Sequence, residues 1–206
     1  MPRRKIPENY EKMKRGMIQA TIEVMTRKSM AEFSLNDIAE EVGLTKAAIY
    51  WYFPNKDALI EETAQCVYDT YIGFIDHVND SDLGPYEKLK KIICGETDTI
   101  EAARMCVFPI KFYLESYGKN DKVKGLIEKG YEKYNQLIAD LILEGSRAGE
   151  FQTDLSVSEL SKFITGAIDG LAFQNLLVSS EQVEVQRKII FSVIDSILRP
   201  RKGKEE

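Results

Sequence analysis

Lys46, Ala47, Tyr50 and Trp51 recur on one stripe of a helix-length segment, and their chemistry suits a groove of double-stranded DNA. A lysine ammonium can reach a phosphate or the edge of guanine, and small side chains such as Ala47 and Ala48 let a helix approach base edges with room for a thymine methyl. A tyrosine hydroxyl or an indole N–H can donate to phosphate oxygens, which holds a protein in register without reading sequence. Taken alone, Tyr50, Trp51 and Tyr52 read rather as ordinary core or partner-contact aromatics. The frame around them decides.

That frame is two short helices joined by a glycine turn. Ser34 is placed to cap a helix, with Asp37 three residues on, where an acid completes a capping box and suits the helix dipole. Leu35, Ile38, Ala39 and Val42 follow the i, i+3, i+4, i+7 spacing of one apolar face. Gly43 stands where the chain must leave the helix through a left-handed backbone, which glycine adopts without steric cost. Thr45 caps the next helix and Pro54 ends it, since the residue before a proline is pushed out of helical geometry. Ile49 and Phe53, four apart, can plug the corner formed by Leu35, Ile38 and Val42. The stripe of Lys46, Ala47, Tyr50 and Trp51 is then left outside, which favours the DNA reading.

At this point the segment IAEEVGLTKAAIYWYFPNKDAL resembles the signature of TetR-type bacterial transcriptional repressors. MIQATIEVM stands in the place of that family's core-forming first helix, and GEFQTDLSVSELSKFITGAIDGLAFQNLL resembles, more weakly, its eighth helix and lead-in. The resemblance implies an all-α homodimer of about nine helices, with an N-terminal helix-turn-helix and a larger effector-binding and dimerisation domain. It implies that Ser34, Thr45, Tyr50, Tyr52 and Lys56 hold the phosphate backbone, and that Lys46, Ala47, Ala48 and Trp51 face the groove or its rim. Asn36 matches a position that touches DNA in some members. Two residues depart from the pattern: Ser29 stands where glycine is usual, and Thr21 where alanine is usual. Thr21 can bond back to a helix carbonyl.

The charge balance agrees once it is divided. The whole chain of 206 residues carries a net −5, which looks wrong for a DNA binder. Residues 1–56, however, hold 10 Lys and Arg against 7 Asp and Glu, a net +3, and the remainder carries −8. An acidic body limits indiscriminate binding to nucleic acid. The opening MPRRKIPENY is a basic arm that reads equally as a minor-groove or phosphate contact and as a solvated tail. It has no apolar core of signal-peptide type, and no run approaches the roughly eighteen apolar residues of a membrane span, so a cytoplasmic location is expected. Cys66, Cys94 and Cys106 are odd in number and widely spaced, which indicates neither a disulfide framework nor a zinc site. One histidine (His77) and no HExxH, GxSxG, P-loop or dinucleotide loop leave no catalytic residue, cofactor or metal to expect. A helical protein-interaction module without specific DNA contact is the competing class.

Beyond the head the pattern stays helical. Spacing predicts helices from Lys56 to about His77, from Pro85 towards Ile100, from Asp121 to about Gly149, from Ser156 to about Val178 and from Gln182 to Leu198, with Pro109 dividing a further helical stretch. The expected organisation is residues 1–56 as arm and DNA-binding domain, 57–199 as ligand-binding and dimerisation domain, and 200–206 as a charged tail. Ile164, Ile168 and Leu171 form one apolar stripe and Ile190, Ile194 and Ile197 another. They pack within one chain or, as the resemblance implies, across a dimer axis in a four-helix bundle. Gly166 and Gly170 share a face and permit close helix approach. Met105, Phe108, Phe112, Tyr113, Tyr117, Tyr134, Asp169 and Asn175 are the candidates for an effector pocket with apolar walls and a few polar anchors, suited to an apolar or aromatic small molecule. A helical core with exposed tyrosine hydroxyls would contain the same residues. Ligand is expected to act through the helix that begins at Lys56, by changing the spacing of two heads.

Overall fold

The computed structural model describes residues 8–94, 109–174 and 180–198, and among these there are helices and no strand. They are α1 (Glu8–Arg27), α2 (Leu35–Glu41), α3 (Lys46–Tyr52), α4 (Lys56–Asn79) and α5 (Pro85–Cys94), then α6, described over residues 109–116, α7 (Asp121–Arg147), α8 (Val157–Gln174) and α9 (Ser180–Leu198). Met105, Phe108, Cys106 and Asn175 lie outside the described residues, as do residues 1–7 of the basic arm and the charged tail. The predicted helices appear with described ends shifted by a residue or two, except that the ends expected near Ile100 and Val178 lie outside the described residues. Pro109 is the first described residue of α6.

The chain divides into two compact units, and the division falls inside α4, α6 and α7. The first holds residues up to Asp69 together with Lys111–Ile127. Its core is built by Met17, Met25, Phe33, Ile38, Ile49, Phe53 and Leu59, all fully buried. The chain can form this core because α2 is locked at its start. The Ser34 side chain accepts from the Asp37 N–H, and the Asp37 carboxylate accepts in return from the Ser34 N–H at 2.7 Å. Gly43, at φ 67°, turns the chain out of α2 in the left-handed region that an L side chain rarely enters.

Residues 111–127 are part of this unit, although nothing in their pattern marks them as such. Lys111 donates to the main-chain oxygens of Met25 and, at 3.1 Å, of Lys28, so its ammonium meets the last carbonyls of α1. Glu115 accepts from the Met30 N–H. Further on, Lys122 pairs with Glu61 at 2.7 Å and Asn120 donates to the same carboxylate at 3.4 Å. The ammonium of Lys122, with Asn120, holds the Glu61 carboxyl below its usual range.

The second unit has its own core, with Leu89, Ile93, Tyr134, Ile138, Leu141, Ile142, Phe151, Leu160, Ile164, Ile194 and Leu198 in one cluster. Gly145 is required there, because a Cβ would stand 2.1 Å from the Phe151 ring. Buried Lys88 satisfies its ammonium on the Asn79 oxygen at 2.7 Å.

The two sequence departures have physical explanations. Thr21 is fully buried and donates to the Met17 oxygen at 2.8 Å, the back-bond its spacing predicts. Ser29 needs no glycine, because no described residue other than glycine has a positive φ. Its N–H and hydroxyl both meet the Glu32 carboxylate, at 3.0 and 2.8 Å.

Candidate nucleic-acid interface

The second helix of the motif is pinned by two aromatic and aliphatic anchors and one cap. Thr45 accepts from the Ala48 N–H at 3.2 Å, which starts α3, while Ile49 and Phe53 are wholly buried. Helical geometry then forces the intervening positions outward. Lys46 and Ala47 are exposed, Tyr50 is 48% exposed and Trp51 68% exposed. Ala48 and Tyr52 are half-buried, at the rim of the same surface, and Ser34, Asn36 and Thr45 are exposed. A large indole and a phenol left in water beside a lysine are poor for a core and suited to a partner with anionic and flat apolar parts.

Electrostatics around α2 hold this surface in shape. Lys28 pairs with Asp37 at 2.7 Å and Arg27 with Glu41 at 2.6 Å. The Lys28 ammonium, with the Ser34 N–H, draws the Asp37 carboxyl down to about 2. Ser29 likewise holds the Glu32 carboxyl below its usual range.

Lys56 occupies a different situation from the one its sequence position suggests. Its ammonium donates to the Ala31 oxygen at 3.3 Å and stands 4.4 Å from the centre of the Phe33 ring. Partial burial lowers its pKa. The side chain braces the start of α4 against the loop before α2, so phosphate contact would require it to leave these partners.

Tyr10, in the first turns of α1, was not singled out by its sequence context. It stacks on Tyr52 with centroids 4.7 Å apart and meets Trp51 edge-on at 5.2 Å. A lone tyrosine ahead of an apolar helix face carries no signal of this.

The remaining expected residues fall in several places. Among the effector candidates, Phe112 is buried, Tyr113 half-buried and Tyr117 exposed, all in the first unit. Tyr134, buried, and Asp169, half-buried, belong to the second. Tyr134 packs in the core beside Tyr71, at 5.4 Å between ring centres. Burial pushes the Asp169 carboxyl up to about 6.

The apolar stripes are both used within the chain. Ile164, Leu171 and Ile194 are buried in the core of their own chain, and Ile168, Ile190 and Ile197 pack against it. These stripes are the inward faces of α8 and α9. The outward faces carry Phe163, Phe173, Val185, Ile189 and Val193, each about half exposed, and Gly166 and Gly170 have no atom within 4 Å of where a Cβ would stand. The sequence pattern identified the stronger of two apolar stripes, which a single chain needs for itself.

His77 is exposed, and the Cys66 and Cys94 side chains are half-buried. No group of metal-ligating residues occurs among the described residues, and no described helix is long and apolar enough to cross a membrane.

Comparison with known proteins agrees with this geometry. Residues 17–63 match the family of bacterial regulatory proteins, tetR family, and residues 87–186 match the tetracyclin repressor-like C-terminal domain, together more than two thirds of the chain. The HTH-type transcriptional regulator YfiR of Bacillus subtilis, itself uncharacterized, is 21% identical over 86% of this chain and 87% of its own length. The HTH-type transcriptional repressor KstR2 of Mycolicibacterium smegmatis is 22% identical over 72% of each chain. Among solved structures, a putative transcriptional regulator from Saccharomonospora viridis, in complex with choline, has the same fold. It superposes with a TM-score of 0.79 at 21% identity, over 93% of this chain and all of that one. The chain belongs to the TetR family, whose members are helix-turn-helix regulators of transcription. It is a DNA-binding regulator of transcription.

Proposed function

We propose that two copies of this chain bind a palindromic operator in double-stranded DNA and release it when a small molecule binds. Lys46, Ala47, Ala48 and Trp51 face the groove or its rim, Ser34, Thr45, Tyr50, Tyr52 and, once it leaves Ala31 and Phe33, Lys56 hold the backbone, and Asn36 touches DNA beside them. The observation that carries this reading is the split of α3, with Ile49 and Phe53 fully buried and Tyr50 and Trp51 in solvent. Residues 1–56 form the DNA-reading part and 57–199 the effector-binding and dimerising part, with 200–206 a tail, and the protein works in the cytoplasm without catalysis.

Dimerisation has a reason in information and one in packing. One short helix reads too few bases to be selective in a genome, whereas two heads read successive major grooves roughly 34 Å apart. Glycine inside a helix costs about 1 kcal/mol against alanine, and among the described residues nothing stands within 4 Å of a Cβ at Gly166 or Gly170 to justify it. Close approach of a second α8, flanked by Phe163, Phe173, Ile189 and Val193, supplies that reason.

The effector is small and largely apolar or aromatic. Choline in the Saccharomonospora viridis relative supports a ligand site in this fold, and the partly buried Asp169 carboxyl is the chemistry here that would anchor a polar or cationic end. A ligand that favours one spacing of the heads weakens operator binding by about 1–3 kcal/mol of coupling.

Selection of bound fragments from random DNA by the purified protein tests the proposal. The expected result is a short palindrome whose half-sites lie one helical turn apart. Recovery of fragments with no common sequence would favour a protein-interaction module instead.

A further inference from the structure

Trp51 is the chain's only tryptophan, and it is both exposed and held. Its ring meets Tyr10 edge-on at 5.2 Å with 75° between planes, and Tyr52 edge-on at 5.0 Å and 87°. Tyr10 and Tyr52 in turn stack at 4.7 Å and 26°. The three rings close a triangle in which each contact has the offset-stacked or edge-to-face geometry that aromatic quadrupoles favour. Two of the rings come from α3 and the third from α1, so the triangle joins elements that the chain separates.

The support of Tyr10 is itself fixed. One helical turn further on, Lys14 pairs with Glu62 of α4 at 2.5 Å, and its ammonium stands 5.6 Å from the centre of the buried Phe53 ring. The start of α1 is therefore tied to α4 and to the anchor that ends α3. Tyr10 is half-buried and Trp51 is 68% exposed, so the triangle is a surface structure with one ring left open. Burial alone does not call for that arrangement, because a core triangle would hide all three rings.

A solvent-facing indole with no neighbour samples several rotamers and loses that freedom on binding. An indole already held offers one apolar ring to a thymine methyl, and one N–H to a phosphate oxygen, in a single orientation. We propose that Tyr10 is a positioning residue that fixes the Trp51 indole on the recognition surface and so sets the base preference where that ring meets the groove. This inference rests on the DNA interface proposed above. Tyr10 acts through its ring against Trp51 and Tyr52, and its hydroxyl is dispensable.

The test uses the full chain, with Tyr10→Leu, Tyr10→Phe, Trp51→Leu and the Tyr10→Leu/Trp51→Leu pair. Because Trp51 is the sole tryptophan, its emission and its quenching by acrylamide report the packing of this ring directly. Tyr10→Leu is expected to raise quenching and to weaken binding of the selected operator about tenfold. It should also flatten the base preference at one or two positions of each half-site in a repeated selection from random DNA. Tyr10→Phe should keep the original values. In the Trp51→Leu background, Tyr10→Leu should have little further effect, whereas a merely structural Tyr10 would have the same effect in both backgrounds. Tyr10→Met, nearer in volume, replaces the leucine variant if circular dichroism shows that leucine loses the fold.

Unchanged quenching and unchanged base preference in Tyr10→Leu would overturn the inference while leaving the operator itself intact. A Tyr10→Phe variant as defective as Tyr10→Leu would overturn it too, by assigning the role to the hydroxyl. Failure of the unaltered protein to select any common sequence would sink the DNA reading, and this inference with it.

Discussion

The Lys111 ammonium donates to the main-chain oxygen of Lys28 at 3.1 Å, closing the C-terminal end of α1 with a cation from a segment more than eighty residues away. Glu115, which pairs with Lys111 at 3.7 Å, accepts from the Met30 N–H of the next turn. Together they hold the loop that leads from α1 to Ser34. Hydrogen bonds to a charged group contribute about 1.5–3 kcal/mol. Part-exposed as it is, Lys111→Met should lose about 1–2 kcal/mol of stability and speed amide hydrogen exchange at residues 28–33. Exchange rates equal to those of the unaltered protein would show that the contact does not hold the loop.

The Ser34–Asp37 capping box should make the head sensitive to acid. The folded-state pKa of Asp37, about 2, is below its ordinary 3.8. Its contribution is therefore present above the ordinary value and is lost as pH falls from about 4 towards 2. Asp37→Asn should remove that part of the acid transition, and Ser34→Ala should lower stability at neutral pH by about 1 kcal/mol. Denaturant unfolding followed across this pH range checks both.

Asp169 should behave in the opposite sense. Its folded pKa of about 6 lies above the ordinary 3.8, so its favourable contribution is complete below the ordinary value and disappears as pH rises through 6. Above that, a carboxylate is held where burial disfavours it. Asp169→Asn should stabilise the protein at pH 7.5 by about 1 kcal/mol, allowing for solvent screening, and change little at pH 4. A variant less stable at both values would mean that the carboxylate has a partner it needs.

The outward face of α8 gives a test of association. At Gly170 a Cβ would have no neighbour within 4 Å among the described residues, and leucine improves helix propensity, so the Gly170→Leu monomer should fold at least as well. A leucine at the place of closest approach should nevertheless force two copies apart. Sedimentation velocity should show a dimer for the unaltered protein and a monomer for the variant. A dimeric variant would place the interface elsewhere.

Much of this was legible in the chain, and what was not had physical causes. The capped α2, the turn at Gly43 and the split of α3 depend on local chemistry, and their residues stand within a single stretch of sequence. The inward stripes of α8 and α9 were visible as apolar periodicity, but periodicity cannot say whether a face turns to its own core or to another chain. Ile164 and Ile194 turned inward, and the weaker stripe of Phe163, Ile189 and Val193 was left outside. The contacts of Lys111, Lys122 and Tyr10 join positions far apart in sequence, where no local pattern reports them. For Lys56 the motif suggests phosphate, and only the fold shows that its ammonium stands 4.4 Å from the centre of the Phe33 ring, which it would leave to reach one.

The most direct measurement is equilibrium binding of the selected operator at several salt concentrations, by the unaltered protein and by a Lys46→Ala/Tyr50→Ala variant. Both replaced side chains are exposed on α3, so the variant should keep its helix content and its oligomeric state. The unaltered protein should bind with affinity falling steeply as salt rises, because phosphate neutralisation releases counterions. The variant should bind at least a hundredfold more weakly, with a shallower salt dependence. Equal affinity and an equal salt slope in the two proteins would contradict the assignment of α3 as the surface that reads DNA.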